Sequence, residues 1–296
     1  DVRGEPFELY GLYNPRGDAP FRRLPDEVGK NVNPGVARLY LCTAGGRVRF
    51  STDSAYVALR AAMPYIGRYD HMPLTNACGF DLCVDTEAGS RFYRPFRPGC
   101  EADSGYEAVI RFSDKRMRSF TVNFPSYNPV DTLYIGLQRS ADVAGGARYR
   151  SALPVVFYGS SITQGACASH PANTYESIIS RRMNLDYINL GFSGSGLAEE
   201  SIARHMASLP MLAFVSDYDH NAPDAEYLEK THGRLYEIIR EKHPDIPYVM
   251  LSRPDYDVNP AESIARRDVI IDTYHSARAA GDKNVYYIDG QGIFRV

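Results

Sequence analysis

The stretch from Val155 to Gly165 constrains the fold of this chain more than any other part of the sequence. It begins with Val155–Tyr158, which are apolar and mostly β-forming, and continues through a glycine, two serines and a closing glycine. A helix start follows at Asn173, which is placed to cap the helix, with Glu176 at the third helical position. The pattern predicts a buried strand, a hydroxyl-bearing loop and a helix, a unit typical of α/β folds.

The serines of this loop are candidates for chemistry because of where the loop should lie. In open α/β sheets, ligands bind beyond the carboxyl ends of the strands. A serine held there between glycines, as Ser160 and Ser161 are, is a candidate nucleophile. A serine-rich turn without chemistry is the alternative interpretation of Gly-Ser-Ser taken alone.

The rest of the second half repeats the alternation of strand and helix. The predicted elements, in order, are helix 174–183, strand 187–191, helix 198–209, strand 211–216, helix 224–243, strand 248–252, helix 260–280 and strand 285–288. Such alternation indicates right-handed crossovers and a parallel sheet. We therefore expect a flavodoxin-like parallel sheet with helices on both faces over residues 151–296.

The first half has a different pattern, with short strands separated by turn residues. Predicted strands include two within 36–50 around Gly45-Gly46, and others at 55–63, 80–85, 91–96, 106–112, 119–124 and 134–138. Near-regular spacing of short strands is typical of an antiparallel β-sandwich. Residues 1–150 are thus predicted to form a jelly-roll domain, followed by a linker within 141–154.

Two features of the first half are candidates for function. The stretch Arg91–Arg97 interleaves arginines with aromatic residues, which suits stacking on a sugar or holding an anion. The same alternation is expected of a half-buried strand whose arginine stems lie over apolar surface, and this structural interpretation is favoured. Asp81 is expected to be a hairpin or interdomain hydrogen-bond partner rather than a catalytic acid.

Composition narrows the class of protein further. The net charge of −3 gives no reason to expect nucleic acid as a partner, and no run of eighteen apolar residues is present to span a membrane. The odd count of five cysteines favours free thiols in a reducing compartment, with a Cys78–Cys100 disulfide as the less favoured alternative. No Cys-x-x-Cys pair occurs, which removes the usual zinc and redox arrangements, and the sequence calls for no metal and no cofactor. The N-terminal residues show no signal peptide, so we expect a cytoplasmic protein, unless a leader has been removed. A homo-oligomer is compatible with these features.

Three predicted strand ends carry unusual loops that should open on one edge of the sheet. They are Gly159-Ser160-Ser161, then Gly191-Phe192-Ser193-Gly194-Ser195-Gly196, and then Asp217-Tyr218-Asp219-His220-Asn221. A serine hydroxyl, a glycine amide and an asparagine carboxamide would converge there. These are the groups that acyl transfer requires, namely a nucleophile and hydrogen-bond donors for the oxyanion of a tetrahedral intermediate.

These three loops resemble the sequence blocks of the SGNH (GDSL-type) hydrolases. Gly159–Thr163 resembles the first block and places Ser161 at the nucleophile position, with Ser160 where aspartate is usual. Asn189–Gly194 resembles the second block, in which Gly194 would supply an oxyanion-hole amide. Asp219-His220-Asn221 resembles the Gly-x-Asn block, with Asn221 as the third donor and Asp219 in place of glycine.

The first half is similar to the GxDLY module that precedes this domain in one SGNH subgroup. The similarity rests on Gly79-Phe80-Asp81-Leu82-Cys83, in which cysteine stands at the tyrosine position. The resemblance therefore covers nearly the whole chain. It implies a serine esterase that deacetylates a carbohydrate ester through an acyl-enzyme on Ser161.

The general base is where the sequence departs from the family. The resemblance implies an Asp-x-x-His block after the fifth strand, and the sequence stops at Val296 without one, so we expect this base beyond residue 296. His170 and His220 are the histidines predicted in loops at the active edge. His220 is a less favoured substitute base, and Ser160, Asp219, His220 and Arg253 are predicted to line a substrate pocket. The alternative function is a catalytically impaired carbohydrate-binding protein with the SGNH fold.

Overall fold

The structure, a computed structural model, describes residues 1–87 and 89–293. The chain forms two compact units that both draw on discontinuous segments. The first unit comprises Asp1–Pro25, Arg38–Ala152 and Gln164–Asn189, and the second comprises Asp26–Ala37, Leu153–Thr163 and Leu190–Val296. The last three residues of the second unit lie outside the described part of the chain.

The first unit contains two antiparallel sheets. Its strands are β1 (Glu8–Tyr10), β2 (Arg47–Thr52), β3 (Tyr56–Ala62), β4 (Phe80–Thr86), β5 (Gly89–Phe96), β6 (Gly105–Arg111), β7 (Arg118–Asn123), β8 (Thr132–Gly136) and β9 (Val143–Gly145). The larger sheet has the order β1-β2-β7-β4-β5 with β9 also on β2, and the smaller has the order β6-β3-β8. Alternate residues of both sheets, among them Phe50, Leu59, Leu82 and Val122, form one buried core. The predicted β-sandwich is confirmed.

The prediction of a strand beginning at Val36 was wrong. Residues Pro34–Leu39 form helix α2, and the residues at its N-terminus carry helix-start signals. Asn33 Oδ1 accepts a hydrogen bond from the Val36 amide at 2.8 Å, and Pro34 needs no amide partner at a helix start. These local signals outweigh the β-propensity of the apolar residues. Two four-residue helices, α1 (Asp26–Gly29) and α3 (Leu74–Ala77), also interrupt the first half.

The second half forms the predicted parallel sheet flanked by helices. Its strands are β10 (Val155–Gly159), β11 (Tyr187–Gly191), β12 (Ala213–Asp217), β13 (Tyr248–Leu251) and β14 (Val285–Ile288), and its helices are α4 (Ser161–Gln164), α5 (Tyr175–Met183), α6 (Glu200–Ser208), α7 (Ala225–Lys242) and α8 (Pro260–Ala279). The strand order is β11-β10-β12-β13-β14. Counted along the chain this is 2-1-3-4-5, the flavodoxin-like order, and it confirms the predicted fold class.

The start of α5 differs from the prediction in one detail. Thr174, not Asn173, is the N-cap, and its side chain accepts a hydrogen bond from the Ser177 amide. The helix buries Glu176, Ser177 and Ser180, while Ile179 is exposed. A polar face is therefore turned inward, which a pattern of apolar residues cannot predict.

A buried histidine in α7 predicts how the stability of this protein depends on pH. His232 is fully buried, its Nδ1 lies 3.0 Å from Thr273 Oγ1, and desolvation lowers its pKa to about 4. The unfolded chain, with a histidine pKa near 6.5, binds the proton more readily than the folded protein. Stability should therefore fall as the pH is lowered from 6.5 towards 4, by up to about 3 kcal/mol for this group.

Urea unfolding of the wild type and of His232→Gln at pH 7 and pH 4 measures this contribution. The variant should lose less stability on acidification than the wild type, because its amide does not titrate. Replacing exposed His275 by glutamine is the matched control for the loss of a histidine side chain. Equal acid sensitivity of His232→Gln and the wild type would contradict the assignment.

Candidate active site

The candidate site lies at the carboxyl edge of the parallel sheet. The strand order reverses direction beside β10, whose neighbours are β11 and β12. The loops that follow these three strands carry Ser161, Gly194 and Asn221 respectively. Ligands of doubly wound sheets bind at such a switch point. The topology thus brings to one place the loops that the sequence analysis selected.

The loop after β10 is built on a position that only glycine can occupy. A Cβ on Gly159 would lie 2.1 Å from Thr163 Oγ1 and 2.4 Å from the Asp217 carbonyl oxygen. The adjacent Ser160 is fully buried, its amide donates to the Asp217 carbonyl at 3.2 Å, and its Oγ accepts from the Ile162 amide. Ser161, the first residue of α4, is only partly buried. Of the two serines, Ser161 is the more accessible.

The loops after β11 and β12 meet through the side chain of Asn221. Asn221 Oδ1 accepts a hydrogen bond from the Gly194 amide at 3.1 Å, and Asn221 Nδ2 donates to the Phe192 carbonyl at 2.7 Å. Gly194 has a φ of +67°, a conformation that favours glycine, and it is exposed. The Asn221 carboxamide therefore fixes the Gly194 amide at the mouth of the site.

All three loops are in contact. The Phe192 amide donates to the Gly159 carbonyl at 2.9 Å. A Cβ on Gly196 would lie 2.5 Å from the same carbonyl and 3.2 Å from Asn221 Nδ2, so this glycine permits the close approach. The loop that carries Ser161 is consequently held against the two loops that carry Gly194 and Asn221.

The turn that presents Asn221 is held by a buried arginine that the sequence analysis missed. Arg266 Nη1 donates to the Asp219 carbonyl at 2.8 Å and pairs with Asp219 Oδ1 at 3.2 Å, and its Nη2 donates to the Ala222 carbonyl at 2.8 Å. The side chains of Arg266 and Asp219 are 5% and 1% exposed. In the sequence, nothing separates Arg266 from its neighbour Arg267, because both lie on a predicted helix.

The other predicted pocket residues have contacts of their own. Asp219 Oδ2 also accepts from the Arg253 amide at 2.9 Å, and the Arg253 guanidinium donates to Ser263 Oγ at 2.8 Å. His220 Nε2 lies 3.6 Å from Asp255 Oδ1, and desolvation lowers the pKa of this histidine. Asp219 is thus part of the support of the turn, and His220 is held near a carboxylate.

His170 and Asp81 form a separate cluster within the first unit. Asp81 is fully buried, and its Oδ2 accepts from the Ala172 amide at 2.6 Å and lies 2.9 Å from His170 Nδ1. Its Oδ1 accepts from Asn123 Nδ2 at 2.7 Å. Asp81 is therefore a hydrogen-bond partner, but of β7 and of the segment 170–172 within the first unit, rather than of a hairpin or of another domain as expected.

The described residues contain no group of three or more His, Cys, Asp or Glu side chains that could hold a metal ion. Nor does the described part of the chain include a helix long and apolar enough to span a bilayer. Its five cysteines are unpaired.

Replacing Arg266 tests whether it holds the turn. Arg266→Met leaves Asp219 buried without its cation, a change that typically costs about 3–5 kcal/mol. We expect a corresponding fall in the free energy of unfolding in urea. Arg267→Met is the matched control, since Arg267 pairs with exposed Asp268 and its loss should cost less than about 1 kcal/mol. Equal stabilities of the two variants would show that the buried pair does not support the turn.

Two family models together match nearly the whole chain. Residues 1–143 match the N-terminal module of SGNH-hydrolase-type esterases, named GxDLY. Residues 152–296 match the GDSL-like lipase/acylhydrolase family. No curated protein matches the chain significantly.

Solved structures share this architecture. A GDSL-like lipase from Bacteroides ovatus is 25% identical, with a TM-score of 0.84 over 95% of this chain and 84% of that one. The salicylyl-acyltransferase SsfX3 of a tetracycline biosynthetic pathway is 22% identical, with a TM-score of 0.76 over 98% and 84%. A family two carbohydrate esterase from Clostridium thermocellum, solved with cellohexaose, is 14% identical, with a TM-score of 0.59 over 84% and 83%. The last two likenesses concern the fold alone. Residues 152–296 are thus a GDSL-like lipase/acylhydrolase domain, and residues 1–143 are the GxDLY N-terminal module of SGNH-type esterases.

Proposed function

We propose that this protein is a serine esterase that removes acetyl groups from a carbohydrate ester through an acyl-enzyme on Ser161. The observation that carries the proposal is the meeting of three loops, in which Asn221 bonds to the Gly194 amide and the Phe192 amide bonds to the Gly159 carbonyl. Membership of an acylhydrolase family supports the reaction class.

In the proposed reaction, Ser161 Oγ attacks the carbonyl carbon of the ester while a general base takes its proton. The oxyanion of the tetrahedral intermediate accepts hydrogen bonds from the Gly194 amide and Asn221 Nδ2. Collapse of the intermediate breaks the bond between the carbonyl carbon and the sugar oxygen, and this oxygen takes the proton back from the general base and leaves as a hydroxyl. Water then attacks the acyl-enzyme in the same way, releasing acetate and free Ser161.

The hydrogen bonds within the site are compatible with this role. A carboxamide nitrogen has two hydrogens, and the Phe192 carbonyl takes one of them from Asn221. The Gly194 amide donates to a neutral oxygen of Asn221 at 3.1 Å. A charged oxyanion is a stronger acceptor than this carboxamide oxygen, so it competes for the same amide as charge develops.

The choice of a sugar acetate as substrate is supported by the carbohydrate esterases among the solved structures of this fold. The salicylyl-acyltransferase, which shares the fold, represents the other outcome, transfer of the acyl group to an acceptor other than water.

The test is acetate release by the full-length protein from acetylated xylo-oligosaccharides, compared with hydrolysis of p-nitrophenyl esters of two, four and eight carbons. We expect release of acetate and a kcat/KM that falls with acyl length. Preference for the eight-carbon ester without acetate release from the sugar would reject deacetylation. Binding of the oligosaccharide without turnover would favour a carbohydrate-binding protein instead.

A further inference from the structure

A cleft in the first unit is lined by three arginines that the proposed reaction does not use. It lies along β5 and β6, has a volume of about 650 Å³, and is lined by Arg94, Arg97 and Arg111 together with Phe96, Ala108 and Ile110. Its size is within the range of small-molecule sites, about 300–1,000 Å³. No acidic side chain is among its lining residues.

Both walls of the cleft are edge strands. β5 is the last strand of the larger sheet, and β6 is the outer strand of the smaller one. Arg94 is paired in register with Leu82, a core residue, so it stands on the face of β5 that faces the sandwich interior. Arginines from both sides therefore line one concave opening.

The three guanidinium groups are not neutralised within the described part of the chain. All three arginines are exposed, and none forms an ion pair or a side-chain hydrogen bond with another described residue. Arg94 and Arg111 contact aromatic rings instead, with guanidinium carbons 5.7 Å from the ring centroids of Tyr93 and Tyr56.

Protection of an edge strand explains part of this arrangement but not all of it. Arginines and Pro95 on β5 discourage the addition of a further strand. That purpose needs charge on one edge, whereas here like charges from two edges share one cleft. Like charges that share one cleft without counter-charges repel one another, and a bound anion relieves this repulsion.

We propose that this cleft binds an acidic oligosaccharide, whose carboxylate or sulfate groups are held by Arg94, Arg97 and Arg111. Guanidinium groups bind both kinds of anion through paired hydrogen bonds. The accessible apolar part of the lining, which includes exposed Val109 and half-buried Ala108, suits the carbon-bound hydrogens of sugar rings. A nucleic acid fits less well, because the chain has a pI of about 6.2 and nucleic-acid-binding domains are strongly basic. The site does not involve Ser161, so it goes beyond the proposed esterase activity.

The test is calorimetric titration of the full-length Ser161→Ala protein, which removes the proposed turnover. The probes are tetragalacturonate, a sulfated tetrasaccharide, neutral cellotetraose, sodium sulfate and a single-stranded DNA oligomer. We expect an acidic tetrasaccharide to bind, with affinity that falls as salt is raised. Comparison of tetragalacturonate with the sulfated sugar identifies the anion that is preferred.

The variants decide whether the cleft is responsible. Arg94→Gln/Arg97→Gln should weaken binding at least about tenfold, since charge-assisted hydrogen bonds are lost. Arg116→Gln/Arg139→Gln removes the same charge at exposed positions outside the cleft and should change affinity less than about threefold. Arg111→Gln alone, on the other strand, is the second variant if the double variant fails to fold.

Four results would overturn the proposal. They are equal binding of cellotetraose, unchanged affinity in both cleft variants, displacement of the sugar by an equal concentration of sodium sulfate, and tighter binding of DNA that is lost in the same variants. The first two results would show that the protein has no anion site or that the site lies outside this cleft. The last two would show that the ligand is not an acidic oligosaccharide.

Discussion

Replacing Ser161 by alanine should reduce kcat for p-nitrophenyl acetate by about 10⁶, the loss that follows removal of the nucleophile in serine hydrolases. Without the hydroxyl, the loops can still bind and polarise the ester but cannot form the acyl-enzyme. Steady-state hydrolysis measured at high enzyme concentration gives the ratio. Labelling with a fluorophosphonate, read by intact mass, should add one adduct to the wild type and none to Ser161→Ala.

Ser208→Ala is the matched control, because Ser208 is an exposed serine at the end of α6. It should keep the activity and the fluorophosphonate adduct of the wild type. The nucleophile assignment is wrong if Ser161→Ala turns over the ester at the rate of Ser208→Ala, or if peptide mapping places the adduct on another residue.

Replacing His220 in the same assay tests whether this histidine is the general base. Its lowered pKa keeps the imidazole neutral at pH 7, as a base requires, but its Nε2 is directed at Asp255 Oδ1. We expect His220→Ala to reduce kcat by less than about tenfold, which is small beside the effect of a missing base. A loss as large as that in Ser161→Ala would instead identify His220 as the base.

The α/β half could be predicted closely because its signals are local and repeated. Strands β11 and β14 coincide with the predicted ranges, and α8 begins at Pro260, the first residue of the helix predicted over 260–280. The alternation of strands and helices also predicts parallel strand pairing, which the structure shows. In the first half, Val36 was assigned to a strand because of the apolar residues around it. The Asn-Pro pair before it is the helix-start signal that should have been given more weight.

The site could be predicted as far as the backbone determines it. Parallel strands end on one edge, so the loops of Ser161, Gly194 and Asn221 were expected to converge. Hydrogen bonds between residues that are distant in the sequence could not be predicted. The contact of Arg266 with the turn at Asp219 joins residues 47 positions apart, and only burial distinguishes this arginine from its neighbour.

Asn221→Ala should lower kcat by about 10²–10³ and leave KM nearly unchanged, because an oxyanion donor acts mainly on the transition state. The truncation also removes the bonds to the Gly194 amide and the Phe192 carbonyl. Each of these is worth about 1 kcal/mol, so the variant should also lose about 2 kcal/mol of stability. A loss of kcat in this variant alone could therefore come from loosened loops.

Arg266→Met separates the two causes, because it leaves the Asn221 carboxamide in place and removes the buried cation that holds the turn at Asp219. Thermal unfolding should show more destabilisation than in Asn221→Ala, since the loss of this cation costs about 3–5 kcal/mol. Because the oxyanion donor is kept, kcat should nevertheless fall less in Arg266→Met than in the alanine variant. Asn31→Ala, at an exposed asparagine of the second unit, is the control and should retain both kcat and stability.

The two measurements therefore rank the variants in opposite orders if Asn221 is an oxyanion donor. Stability should decrease from wild type to Asn221→Ala to Arg266→Met, while kcat should decrease from wild type to Arg266→Met to Asn221→Ala. If kcat instead follows stability, with the alanine variant the more active of the two, Asn221 acts by holding the loops together. The donors for the oxyanion must then be sought among backbone amides such as that of Gly194.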